Sequence, residues 1–396
     1  MVKPVIALIP SGYKAEKVYS VVPSNGAGDF VFDRGNGAAT RVNKEGLIED
    51  VANDVPRLDY TDGGCPVLLL EYASSNNILY SQDFSQWTTF RLSTTANTTT
   101  SPSGLINATS ITEDSTTNTH VLRAPVTAAT GTWTCSIFAK NRTNNRYVVL
   151  NLGSSSARFN LSTGTVDEET SLVASSIKSF LNGWYRISIT ATLSALANFD
   201  VRLNNGTTEN YLGDGLSGVD IWGAQFEEKP APTSYIPALT GISVTRLIDS
   251  CLGNYSFILL NKEVSLFADV IQNNTGFDMT IGLTNGSSPL SNLIFIFQAN
   301  GTQVRVVSTQ GLDSYQTITT YQRNKIIVTL KLNEAKIYIN GTLVLTQNTS
   351  LTVPDTFGEL NFAAFLGGAP FSGRVYDTRV YDTVLTEAEA KQLTTT

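Results

Sequence analysis

Residues 131–140, GTWTCSIFAK, put Trp133, Cys135 and Ile137 on one face of an extended chain and Thr134, Ser136 and Phe138 on the other. A side-chain period of two residues belongs to a strand with two distinct faces, because successive Cβ atoms point to opposite sides of a pleated backbone. Outward from this stretch the pattern recurs. RYVVLNLG (146–153), GWYRISITATL (183–193) and NFDVRLNN (198–205) are strand candidates separated by Gly, Asn and Ser clusters. Further on, EVSLFADV (263–270), KIIVTLKL (325–332), AKIYINGTLVLT (335–346) and GRVYDTRVYD (373–382) continue it. Short strands at even spacing, with no helical period between them, indicate a sandwich or jelly roll. The expected fold class is therefore all-β: tandem antiparallel β-sandwich or jelly-roll domains.

Local signals sharpen this. Asn340-Gly341, between two alternating runs, predicts a tight hairpin, since a type I′ turn needs positive φ at both central residues. Thr386-Glu-Ala-Glu389 reads as a capping box opening the single clear helix of the chain. Residues 1–80 differ in style. The turns SNGAG, RGNG and TDGG punctuate short extended pieces, and the apolar runs Val5–Ile9 and Val67–Leu70 stand among them. The predicted division is an irregular N-terminal docking segment at 1–80, a jelly roll at 81–245 and a second sandwich at 246–396. At roughly 150 residues per domain, a chain of 396 residues suits that number. A turn-rich segment offsets its ordering entropy poorly, so 1–80 is expected to lean on another module or a partner chain. A chain starting near Ser81 is expected to fold without it.

Composition excludes several classes. Charged residues are 15%, the formal net charge is −7 and the pI about 4.9. No basic footprint for nucleic acid or anionic membrane exists, and no apolar run reaches the roughly 18 residues of a membrane-spanning helix. The N-terminal apolar run, bracketed by Pro4 and Pro10, is too short for a secretory leader. The three cysteines, Cys65, Cys135 and Cys251, are far apart, and His120 is the sole histidine, which disfavours zinc sites and histidine-dependent triads. GAGDF and RGNGAAT lack the strand–helix context of a phosphate loop. The sequons at Asn97, Asn107, Asn141 and Asn160 are chance matches in a Thr-rich chain.

Three stretches carry a resemblance. GDFVFDRGNGAATRVNKEGLIEDVANDVPRLDY with GGCPVLLLEYASSNNILYSQDFSQW, about residues 28–87, resembles a segment recurrent in bacteriophage head- and tail-fibre proteins. NGWYRISIT with GVDIWGAQFEEKPAPTSYIPALTGISVTR is similar to a carbohydrate-binding-type jelly roll. VTLKLNEAKIYINGTLVLT with FSGRVYDTRVYDTVLTEAEAKQL is similar to the concanavalin-A-like, laminin-G-like sandwich. Together these imply a structural phage virion protein, made in the bacterial host cytoplasm. It would display sandwich modules toward host-surface glycans, with other virion proteins as partners and a homo-oligomer, a trimer by family analogy. They carry over no set of ligand-binding residues. The stretch from KEVSLFADV to AAFLGG shows no calcium pattern of the legume-lectin type.

Candidate chemistry is sparse. No catalytic or metal-ligating residue is assigned and no cofactor is expected. Structural calcium would come from Asp214-Gly215 or Asp62-Gly63, which otherwise read as simple turns. Adjacent carboxylates on a strand face opposite ways, so neither Asp167-Glu168-Glu169 nor Glu227-Glu228 supplies the carboxylate pair of a glycosidase. A depolymerase is the alternative reading, and a bacterial surface adhesin a third. Trp133 and Trp222 read as core and Trp184 as the sandwich edge. Trp87, after the polar SQDFSQ, is the candidate contact to a ligand or neighbouring chain. Arg34, Arg41 and Arg57, interleaved with Asp29, Asp33, Glu49, Asp50 and Asp59, are the candidate docking residues, setting register at an assembly interface.

Overall fold

A computed structural model describes residues 2–395 apart from 36, 129, 143–145, 196, 260, 275, 285–292, 309–310, 349 and 363–368; the AAFLGG stretch lies outside the described residues. The protein is nearly all-β, as the alternation requires. It divides into two compact units. One comprises 1–36, 51–72 and 247–396, the other 37–50 and 73–246.

The first unit contains an 8-stranded and a 10-stranded sheet. In the 8-stranded sheet Glu263–Gln272 lies between Arg323–Lys331 and Gly373–Tyr381, both antiparallel. The N-terminal apolar runs find their cover here. Ile6–Leu8 and Val67–Leu70 both pair with Gly373–Tyr381, and Phe30–Asp33 pairs with Ser250–Ile258 in the other sheet. Ile6, Leu8, Phe30, Phe32, Leu68 and Leu70 join one core with Leu266, Val328 and Val380. The predicted hairpin forms with φ of 48° at Asn340 and 83° at Gly341. The helix Glu387–Thr394 starts on the full capping box of Thr386 and Glu389. Among the described residues it is the one α-helix, and its Ala390 and the adjoining Leu385 pack with Phe267, Ile327, Tyr338 and Tyr381.

The second unit contains a 7-stranded and a 6-stranded sheet. In the latter, Gly131–Asn141 lies between Trp184–Leu193 and Gly218–Glu227. Trp133, Cys135, Ile137 and Ala139 enter the core with Leu150, Phe199 and Phe226, as the alternation predicts. Phe138, on the opposite face, packs with Trp184, Trp222 and Tyr235 in a second cluster.

The division differs from the expected one at the N-terminus. Residues 1–80 supply strands to both units. Ile6–Leu8, Phe30–Asp33, Val67–Leu70 and Ser74–Asn76 look irregular in sequence because each is completed by a partner far along the chain. No described helix is long and apolar enough to cross a membrane.

Candidate functional site

The second unit carries a cleft of about 300 Å³ at the rim of its sandwich. Trp133 is the first core residue of its strand, so it sits where the core meets the rim. Its ring stacks on Phe226 at a centroid distance of 4.7 Å. The residue is 9% exposed, and its indole N–H is buried with no hydrogen-bond partner among the described residues. Gly131, two residues earlier, holds φ at +140°, and a Cβ there would stand 3.0 Å from Glu228 Oε1 and 3.4 Å from Trp133 Nε1. A glycine therefore keeps open a space with an unused donor on one side and a carboxylate on the other.

Glu228 faces that space because Glu227 faces away. Buried Glu227 accepts from Ser74 Oγ at 2.6 Å, from Gln225 Nε2 at 2.5 Å, from the Thr233 amide at 3.0 Å and from the Thr233 hydroxyl. Glu228 is exposed, and burial holds the neighbouring Lys229 ammonium below its ordinary pKa, against the pull of the Glu227 carboxylate. The paired strands Ser74–Asn76 and Val244–Arg246 complete the lining, with Ser75 and Thr245 sharing a hydroxyl hydrogen bond of 2.7 Å. Donors, an acceptor and an aromatic edge thus converge on one small space. That is the chemistry of hydroxyl recognition.

The candidate contact and docking residues, Trp87, Arg34, Arg41 and Arg57, lie elsewhere. Trp87 belongs to the core: it is 4% exposed, donates to the Tyr80 carbonyl at 3.1 Å and packs edge-on to Phe84 and Phe199. Arg34 and Arg57 are buried inside the first unit rather than displayed at a docking face. Arg57 Nη1 donates to Glu71 at 2.6 Å and its Nη2 to Asp249, while Arg34 Nη1 lies 3.5 Å from Asp249. Arg41 pairs with Glu49 at 2.7 Å across the short ribbon Ala39–Val42/Ile48–Val51. Asp214 spends its oxygens on the Leu216 and Ser217 amides and the Ser217 hydroxyl, which holds its carboxyl well below the usual range. Asp167, Glu168 and Glu169 lie on the exposed strand Thr165–Thr170. Trp184 donates to the Thr100 carbonyl at 3.0 Å. Cleft membership of Trp133 was not legible from its core position. The one available signal was Gly131 immediately before an aromatic strand start. No group of three or more His, Cys, Asp or Glu able to hold a metal occurs among the described residues.

Residues 261–391 match the family model of the Concanavalin A-like lectin/glucanases superfamily, the laminin-G-like sandwich expected for the C-terminal part. No curated protein matches the sequence. Among solved structures, the chain is similar to the CBM40 of the Ruminococcus gnavus IT-sialidase bound to α2,3-sialyllactose, at 13% identity and TM-score 0.29, covering 35% of this chain and 85% of that one. A domain of a Geobacillus stearothermophilus arabinanase, in complex with arabinotriose, follows at 19% identity and TM-score 0.27, covering 37% and 73%. A Trypanosoma rangeli sialidase in complex with sialic acid is similar at 12% identity and TM-score 0.28, covering 72% and 60%.

Proposed function

We propose that this protein is a non-catalytic glycan-binding component of a phage particle, and that the cleft beside Trp133 holds a diol of a surface sugar. The observation that carries the reading is the buried, partnerless indole N–H of Trp133, set across the Gly131 gap from Glu228. An unsatisfied buried donor costs about 1–3 kcal/mol, and a ligand acceptor recovers it. A sugar hydroxyl both accepts and donates. One hydroxyl of a vicinal pair accepts from Trp133 while its neighbour donates to Glu228, and Lys229 adds a further donor. Hydrolysis calls for two carboxylates about 5–10 Å apart. The lining of this cleft contributes one, Glu228, so binding without turnover fits it better.

The lectin-like family match at 261–391 supports display of a sandwich module. The virion location, the contacts with other virion proteins and the homo-oligomer, a trimer, rest on the fibre-protein resemblance of residues 28–87. Affinity electrophoresis tests the binding. Gels cast with host-surface polysaccharide should retard the full chain, and the same polysaccharide should release no reducing sugar. Steady release that Glu228→Gln abolishes would instead make the protein a depolymerase. Antibody-labelled electron microscopy of particles tests the location.

A further inference from the structure

The first unit holds a separate pocket of about 430 Å³, lined in part by Arg323 and Tyr376 of its 8-stranded sheet. Tyr376 reaches it from a bulge. Asp269 pairs with Asp377 and Val270 with Val375, leaving Tyr376 as the extra residue of its strand. Bulges re-aim side chains, and here the phenol hydroxyl donates to Asp62 Oδ2. Arg323 lies 3.9 Å over the Tyr376 ring, and its Nε and Nη2 both donate to Asp269 at 2.7 Å. These groups are fixed by one another before any ligand arrives. Asp62 Oδ1 and Arg323 Nη1 have no hydrogen-bond partner among the described residues. Ile9, Pro10 and Pro66 form the apolar side.

We infer that this pocket is a second sugar site, taking one uncharged hexopyranose residue. Charge is the first reason. Asp62 stands 3.8 Å from Arg374 and Asp269 is bound by Arg323, so the acidic and basic groups balance and an ionic ligand finds no net attraction. Vicinal hydroxyls suit the free pair, donating to Asp62 Oδ1 and accepting from Arg323 Nη1. The apolar side receives the C–H face of the ring. The pocket's volume is within the range of small-molecule sites, roughly 300–1,000 Å³. The site is independent of the Trp133 cleft and survives if that cleft binds nothing.

The pocket contains its own probe. Cys65 lines it and is exposed, whereas Cys135 and Cys251 are buried and burial pushes their thiols up. Only a thiolate reacts readily, so iodoacetamide should label Cys65 alone in the folded chain. The experiment is the rate of Cys65 alkylation in the full chain with the methyl α-glycosides of glucose, galactose and mannose, and with methyl glucuronide as the charged comparison. At least one neutral glycoside should slow alkylation severalfold and saturably, and the glucuronide should not. The protection should vanish in Asp62→Ala and persist in Glu228→Gln. No slowing by any neutral glycoside, equal slowing by the glucuronide, protection that outlasts Asp62→Ala, or protection lost in Glu228→Gln would each overturn the inference.

Discussion

At the scale of single residues, burial assigns roles that residue type alone leaves open. Arg57 is fully buried, with Glu71 and Asp249 against its guanidinium. Replacing Arg57 by Met takes a guanidinium away from two buried carboxylates. Removing one partner of a buried ion pair costs about 3–5 kcal/mol, so Arg57→Met should lower the unfolding free energy of the first unit by that order, read as a lower denaturant midpoint at unchanged slope. Arg41→Met, whose partner Glu49 is part-exposed, should change stability by about 0–1 kcal/mol. Equal effects in urea melts would show that the Arg57 network is not structural. The contrast was illegible in the sequence, because Asp249 lies 192 residues from Arg57. Residues whose task is local were legible. Asn340-Gly341 and Thr386 needed only their neighbours to be read, and both adopt the backbone conformations expected. Trp133 was read correctly as core, and its place in the cleft was not legible, because Glu228, just past the end of the strand Gly218–Glu227, comes to it from 95 residues along the chain.

At the scale of elements, alternation located the long strands, while the short N-terminal ones are defined by their partners. Ile6–Leu8 and Val67–Leu70 bury all their side chains and pair with one strand more than 300 residues later. Burying each such aliphatic side chain contributes roughly 1.5–3 kcal/mol, and a domain's net stability is only about 5–15 kcal/mol. A chain beginning at Ser81 loses these strands, together with Phe30–Asp33 and Ser74–Asn76. It should therefore aggregate, or lose its cooperative thermal transition by circular dichroism. This reverses the expectation drawn from turn density alone. A shortened chain that melts cooperatively at the full chain's temperature would show that the N-terminal strands are dispensable. Their sheet edges would then be left bare, which is an aggregation hazard.

At the scale of the whole molecule, the length prior anticipated more than one sandwich, and two units are found, each assembled from separated stretches of chain. Interleaving of this kind cannot be seen in composition or periodicity, because those measures weigh neighbours in sequence. The acidic net charge of −7 leaves electrostatic attraction to polyanions out of the binding account, so recognition falls to placed hydrogen bonds and small apolar contacts. On the proposed reading, a neutral hydroxyl-rich ligand binds the second unit through Trp133 and Glu228. The most direct measurement of this is isothermal titration of an oligosaccharide from the host-surface polysaccharide into the full chain, beside Trp133→Phe and Glu228→Gln. Saturable binding is expected, weakened in both variants by about 1–3 kcal/mol, the cost of one lost hydrogen bond at a buried polar group, with thermal stability of Glu228→Gln unchanged. Undiminished affinity in both variants would contradict it.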